Sequence, residues 1–405
     1  MSRHKHDDEC DLPLELIGEI LARLPVRLLL QLKTVCRSWN SLISSHDFTM
    51  QHVQRSAQPR LAYACSRRIL EWTTNYGIDV LNCTLPSLLY DQQQTLTKFV
   101  PFPKGMNRQL QFSIEGSCNG LLCLSQGTPY LILTLFNPCT GSTSRTAPTE
   151  NPSELGKSIY YGFGYDILHD KYKFVMGSSF NYLKTDPHKM VRCGAKVCTF
   201  DANPSWKEID HPVFPYSIQN GNGKYSGGTI NWIVYDPTKD VVVGHNKLEH
   251  REWFIFTFKL ETESFGRLCL PGPRKNNDIT HLDVPRLQVL KNRLCVSFQP
   301  LYTTNPCTYL WMMMEEEYDG LEKSNWTMLF TIPHGDGIPQ QIVPLYISED
   351  DLLLVYNPLG SSDRSLFVYN LHNGKLFYPW LHSTSVPDGS FDVYHESLVS
   401  PSHFL

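Results

Sequence analysis

LPLELIGEILARLPVRLLLQLKTVCRSWNSLI occupies residues 12–43. Within these 32 residues (43 − 12 + 1) the apolar positions fall at helical spacing. Leu12, Leu16, Ile17, Ile20, Leu21 and Leu24 recur at steps of three and four, which lines one face of a helix. Asp11 is placed to cap that helix, and Pro13 suits its first turn. Pro25 ends it, because a residue before proline avoids the α region. A second short turn carries Val26, Leu28, Leu29 and Leu30. A third segment puts Leu32, Val35, Cys36, Trp39, Leu42 and Ile43 on one stripe, with Lys33, Arg37, Ser38 and Asn40 outside it. Three helices this short bury too little surface to stand alone. An apolar stripe left over on them is an interface.

The pattern changes from about residue 60. Short β-branched and aromatic runs with period two alternate with turn residues: GLLCL (120–124), YLILTLFN (130–137), NWIVYD (231–236), WFIFTFKL (253–260), DLLLVYN (351–357). A loose repeat runs through them, an aromatic strand ending in a polar turn. FNPCTG begins at Phe136, YDILHD at Tyr165, FDANPSW at Phe200, FKLETESF at Phe258 and YNLHNGKLF at Tyr369. These read as hairpins. The 345 residues after residue 60 (405 − 60) suit stacked sandwiches or, better, a β-propeller. At about 40–50 residues per blade they make six to eight blades. PRLAYAC (59–65) and FDVYHESLVS (391–400) are placed to close one blade from the two chain ends. The expected fold is therefore multidomain α+β: a tail over 1–10, a small helical unit over 11–55 and an all-β propeller over 56–405.

Composition narrows the class. Hydrophobic residues make up 41% and charged residues 19%, enough for a sizeable core. Net charge is −4 with no basic run, so nothing asks for nucleic acid. No run of about 18 apolar residues occurs, so no membrane helix is expected. The polar N-terminus lacks the apolar stretch of a secretory signal. The 12 cysteines are scattered without a C-x-x-C, which suits the reducing cytoplasm or nucleus and buried thiols rather than zinc.

The first 40-odd residues resemble an F-box. Leu12-Pro13, the Leu16 to Leu21 helix, Leu24-Pro25-Val26, Leu29-Leu30, Val35-Cys36-Arg37-Ser38-Trp39 and Leu42-Ile43 each match that family's pattern. The remainder is similar to the F-box-associated, kelch-related (type 1) region of large plant F-box families. SCNGLLCL (117–124), LFNPCTG (135–141), YGFGYDILHDKYKFV (161–175), FTFKLETESFGRLCLP (256–271) and HESLVSP (395–401) carry that likeness. One departure stands out: a kelch repeat has a Gly-Gly doublet per blade, and this chain has one, Gly227-Gly228. The resemblance implies a non-catalytic substrate receptor of an SCF-type ubiquitin ligase. The F-box would dock on a Skp-family adaptor and through it a cullin scaffold. The propeller would bind a target protein for ubiquitination and proteasomal degradation. No cofactor or metal is implied.

Candidate adaptor contacts are Leu12, Pro13, Leu16, Ile20, Leu24, Pro25, Leu29, Val35 and Trp39, with Leu42 and Ile43 expected to pack on the linker or propeller. In the competing arrangement all the leucines face inward and the helices cap the β-domain. Candidate target contacts are Tyr182, Arg192, Tyr216 and Tyr225, in the polar connections 178–196 and 214–227; a third such connection spans 271–286. Asp166, His169 and Asp170 resemble a catalytic cluster but fall in a hairpin turn, and His4 and His6 belong to the polar tail. The competing function is a kelch-propeller enzyme, an oxidase or glycan hydrolase, or a carbohydrate-binding module. The sequence contains no G-x-S-x-G, P-loop or H-E-x-x-H.

Overall fold

The computed structural model describes residues 12–56, 59–68, 76–90, 93–94, 97–98, 112–127, 131–148, 150–151, 158–179, 194–211, 217–218, 221–236, 241–243, 247–250, 252–271, 284–299, 306–314, 325–335, 338–339, 341–358, 365–381 and 391–401. Four helices come first: α1 (Leu14–Leu21), α2 (Val26–Leu32), α3 (Arg37–Ser44) and α4 (His46–Ser56). The sequence reading found three. The fourth is largely polar and shows only Phe48, Met50 and Val53 as an apolar face. Pro13 occupies the position before α1 rather than its first turn, with ψ at 141°. Among the described residues no helix is long and apolar enough to cross a membrane.

Among the described residues after Ser56 most lie in antiparallel sheets, and six of these sheets are propeller blades. One short helix, Leu85–Tyr90, and one parallel two-stranded pair, Gln93–Gln94 with Trp380–Leu381, are the exceptions. The second strands explain the architecture. A strand wetted on one face alternates polar and apolar, whereas Leu121–Leu124 and Leu352–Val355 are unbroken apolar runs in strands buried almost end to end. Successive residues therefore serve two different seams. Leu353 and Val355 pack with Leu310 and Ile332 of the fifth blade, while Leu352 and Leu354 pack with Leu61 and Leu85 of the first. The same division recurs at Trp232 and Ile233 of the fourth blade. Each seam between blades is thus a hydrophobic cluster, and the first strands of neighbouring blades touch in turn to complete a ring.

Blade one is closed by both chain ends, as the sequence suggested: Phe391–His395 pairs antiparallel with Pro59–Arg68, Tyr63 opposite Phe391. Blade three is the most regular, with Ser158–Asp166, Lys171–Ser179, Ala195–Phe200 and Ser205–Ile209 in order. Blade two has three regular strands. Its fourth position is filled by residues 143–148 and Glu150, bonded to Leu131, Leu133 and Leu135 through backbone groups.

The repeat seen in the sequence is mostly the third-to-fourth turn. Asn137 and Asn370 play the same part in blades two and six. Each side-chain Oδ1 accepts from two backbone N–H groups ahead of it, and Gly141 or Gly374 closes the turn at positive φ. YDILHD is not one of this set: it is the first-to-second turn of blade three. The solitary Gly227-Gly228 doublet is also a first-to-second turn, with both φ values positive. Blades two and five use Asn119-Gly120 and Lys291-Asn292 for the same two-residue turn. The missing doublets therefore reflect other residues adopting the left-handed region, not missing blades.

The stretch 214–227, read above as a polar connection, contains the broken inner strand of blade four, Ser217–Ile218 and Lys224–Ser226. Between the two halves the backbone crosses to blade three. Tyr161 N–H donates to Gly221 O and Gly223 N–H to Tyr161 O, both at 2.7 Å. A Cβ on Gly223 would stand 2.6 Å from Trp232 and Ile230, so packing rather than mobility requires glycine there.

Antiparallel alternation sorts the connections onto two faces. First-to-second and third-to-fourth turns share one face, where the F-box sits. Three contacts place it there: His46 lies 3.4 Å from Asp170 of a first-to-second turn, and the F-box core touches Cys139 of a third-to-fourth turn and Leu398 beyond the closing strand. The strand ends that bracket residues 180–193, 237–252 and 300–305 lie at the opposite face.

Candidate functional site

The four helices have a dry side and a wet side. Leu21, Ala22, Val26, Leu29, Ile43 and Phe48 form a buried cluster with Leu398. Met50 and Val53 of α4 pack separately on the seam between blades two and three. His52 ties α4 to the turn between α1 and α2 through Nε2, 2.8 Å from Leu24 O. Other large aliphatics of the helices stay in solvent: Leu12, Leu14, Leu16, Ile20, Leu28 and Val35 are 45–61% exposed. Leu16 and Ile20 lie one turn apart on α1 and so share a face. Pro13 and Pro25, each standing before a helix, are exposed as well.

Charges flank this ridge. Glu15, Arg23, Arg27 and Arg37 are exposed. Nη1 of Arg55 on α4 reaches both carboxylate oxygens of Glu19, at 2.8 and 2.9 Å, and this hydrogen bonding and charge hold that carboxyl below its usual range. Cys36 is exposed at the start of α3. The Ser38 hydroxyl, 3.1 Å from its sulfur, and the Trp39 N–H lower the thiol. The described cysteines form no disulfide with one another, and burial pushes Cys83, Cys198 and Cys295 up to about 12.

Of the candidate adaptor contacts, Leu12, Pro13, Leu16, Ile20, Pro25 and Val35 lie exposed, and Leu24 and Trp39 are half-buried against the F-box core. Leu29 is a correction: it is fully buried, pointing into the cluster that seats the F-box on the propeller. Ile43 is buried in that cluster too and Leu42 packs against it. Leu28 is exposed as well, and so is Leu14 at the start of α1 on the helix face of Leu21; neither was among the candidates. In a seven-residue helix reading VRLLLQL, spacing alone does not tell Leu28 from Leu29.

Tyr225 is a second correction. Its hydroxyl donates to Tyr165 O at 2.8 Å and its ring fills the space over Gly164, so it holds blade four to blade three. Tyr182, Arg192 and Tyr216 lie outside the described residues. Asp166, His169 and Asp170 do fall in a hairpin turn. Asp166, its side chain shielded from solvent, pairs with Lys173 Nζ and His169 Nδ1, both at 2.8 Å. Lys173 also donates to Leu260 O at 2.9 Å and Glu263 at 3.0 Å, and Lys207 completes the set 2.7 Å from Glu263. Asp170 accepts from the Tyr165 hydroxyl. The cluster is a clamp between blades three and four.

An apolar helical segment seated by one side on a six-bladed propeller, its other side open, is an F-box joined to a β-propeller. The chain belongs to the F-box-associated β-propeller family, whose model matches residues 74–400, and an F-box domain model matches residues 10–51. It is similar to the F-box/kelch-repeat protein At3g23880 of Arabidopsis thaliana, 28% identical across 97% of this chain and 96% of that one. It is also similar to the F-box protein CPR1 of the same plant, 25% identical across 84% of this chain and 78% of that one.

Proposed function

We propose that the protein is the substrate-recognition subunit of an SCF-type ubiquitin ligase, working in the cytoplasm or nucleus. The F-box docks on a Skp-family adaptor, which joins it to a cullin scaffold. The propeller face away from the F-box holds a target protein. The chain itself supplies no nucleophile: it raises the rate of ubiquitin transfer by holding the target near the conjugating enzyme. The observation that carries this reading is the exposed ridge of Leu12, Leu16, Ile20, Leu28 and Val35. Several large aliphatics left exposed on a small helical unit mark a protein interface. These side chains are already about half shielded, so burying the rest of each contributes about 0.8–1.5 kcal/mol, and five together reach the lower end of an association cost of roughly 4–15 kcal/mol.

Co-purification of the full chain with a Skp-family adaptor tests it. Wild type is expected to bring the adaptor down. Leu16→Asp forfeits burial of the exposed half of one aliphatic, about 0.8–1.5 kcal/mol or roughly four- to tenfold in affinity, before the cost of an unpaired carboxylate is added. Leu16 is half in solvent, so the fold tolerates the change. Pro25→Asp is the sharper control. Asp is a strong helix-capping residue and Pro25 stands just before α2, so the helix persists while a charge enters the ridge. Undiminished capture by either variant rules the ridge out as the docking surface.

A further inference from the structure

We propose that the C-terminal segment 396–401 is the joint that fixes the direction of the F-box on the propeller, with Leu398 and Asn137 as its positioning residues. The segment follows directly from Phe391–His395, the strand that closes the ring. It then runs along the seam between the two domains. Two consecutive side chains of the segment divide between two cores. Leu398 enters the F-box core beside Leu21, Val26, Leu29, Ile43 and Phe48. Val399 enters the core of blades two and three, against which Met50 and Val53 of α4 also pack.

The backbone between these anchors is held at each step. Asn137 is fully buried, and its Nδ2 donates to Ser397 O at 3.0 Å and Val399 O at 2.7 Å. Val399 N–H donates to Ser397 Oγ at 2.9 Å. Glu396 pairs with Arg60 of the second strand of blade one. Asn137 itself is locked by its own turn, because its Oδ1 accepts from Cys139 and Thr140. A polar side chain buried with its donors and acceptors all engaged admits one geometry. The joint is therefore assembled from the last residues of the ring, and the F-box core is complete only when the ring is closed.

Its functional meaning rests on the receptor reading. A receptor that works by proximity must hold target and conjugating enzyme at a set spacing, and a loose joint would spread it. The test uses full-length wild type, Leu398→Asp and Asn137→Ala, alone and with a Skp-family adaptor. Thermal unfolding of the propeller checks that each variant folds, and Leu398→Ala serves if Leu398→Asp does not. The expected result is hydrogen exchange in α4 faster by roughly tenfold or more, because local opening no longer disturbs a shared core. Small-angle scattering broadens, and adaptor affinity holds, since the exposed ridge lies on the other side. In the assembled ligase the receptor's own lysines receive ubiquitin over a wider set of positions. Wild-type exchange and scattering in both variants overturn the joint. Failure of even the wild type to bind adaptor overturns the receptor reading instead, while exchange and scattering on the chain alone still judge the joint.

Discussion

Replacing Lys173 by Met costs the protein about 3–5 kcal/mol of folding stability, the scale set by removing one partner from a buried ion network. The Lys173 side chain is 7% exposed and its three donors are spent on Asp166, Glu263 and Leu260 O. Without it two carboxylates face each other across the seam of blades three and four, one of them shielded from solvent. A well-packed apolar replacement of the whole network is far milder, since no unpaired charge remains. Lys173→Met combined with Asp166→Leu is thus expected to recover much of the loss. Urea unfolding followed by tryptophan fluorescence measures both, and a single-variant cost under about 1 kcal/mol would show that the clamp is solvated and weak.

The same network sets a pH window. Burial pushes Asp166 and Glu263 upward, but hydrogen bonds from Lys173 and His169 to the first, and from Lys207 and Lys173 to the second, more than reverse it. Both carboxyls end below their ordinary range. Their contribution is complete above the unfolded carboxylate values near 4 and is lost as pH falls through the lower folded values. Lys173 moves the other way: burial lowers it, and its two carboxylate partners raise it further. Its contribution is complete below about pH 10 and is lost at higher pH. In Lys173→Met both carboxyls take up protons at higher pH. The gap between wild type and variant therefore narrows as the pH falls from neutral toward 3.

The F-box stripe, the propeller and the closing of blade one from both ends were legible because each rests on local periodicity or on the position of a strand in the chain. What the sequence hid is of another kind. Leu28 and Leu29 are neighbours in one leucine run, and only the tertiary seat decides that one is wet and the other dry. The polar α4 carries too thin an apolar face to show, yet it anchors the F-box. Blade four's first strand is broken where Gly221 and Gly223 lend their backbone to Tyr161, so it looked like a loop. Tyr225 read as a surface residue for the same reason. Leu398 gives no local signal, since its partners lie at the other end of the chain.

Gly120→Ala gives the other large effect, and it joins the turn chemistry to the joint. Asn119 and Gly120 form a two-residue turn with φ of 50° and 77°. Left-handed backbone alone costs a non-glycine residue about 1–2 kcal/mol. Gly227 supplies the comparison: its φ is 55° and nothing lies within 4 Å of a Cβ built there, so Gly227→Ala meets strain and no more. At Gly120 a Cβ would stand 2.2 Å from Ser397 Cβ and 2.5 Å from His395 O. The second of these is backbone of the strand that closes the ring, and Ser397 is itself held by Asn137. Neither can withdraw without moving the segment that seats Leu398. Gly120→Ala should therefore cost about 3–5 kcal/mol, beyond the range of an ordinary surface change, and should speed hydrogen exchange in α4 as Leu398→Asp does. Gly227→Ala should leave α4 untouched. If the two alanine variants lose equal stability, the tail does not press on the turn, and the tight seat assigned to residues 396–401 is wrong.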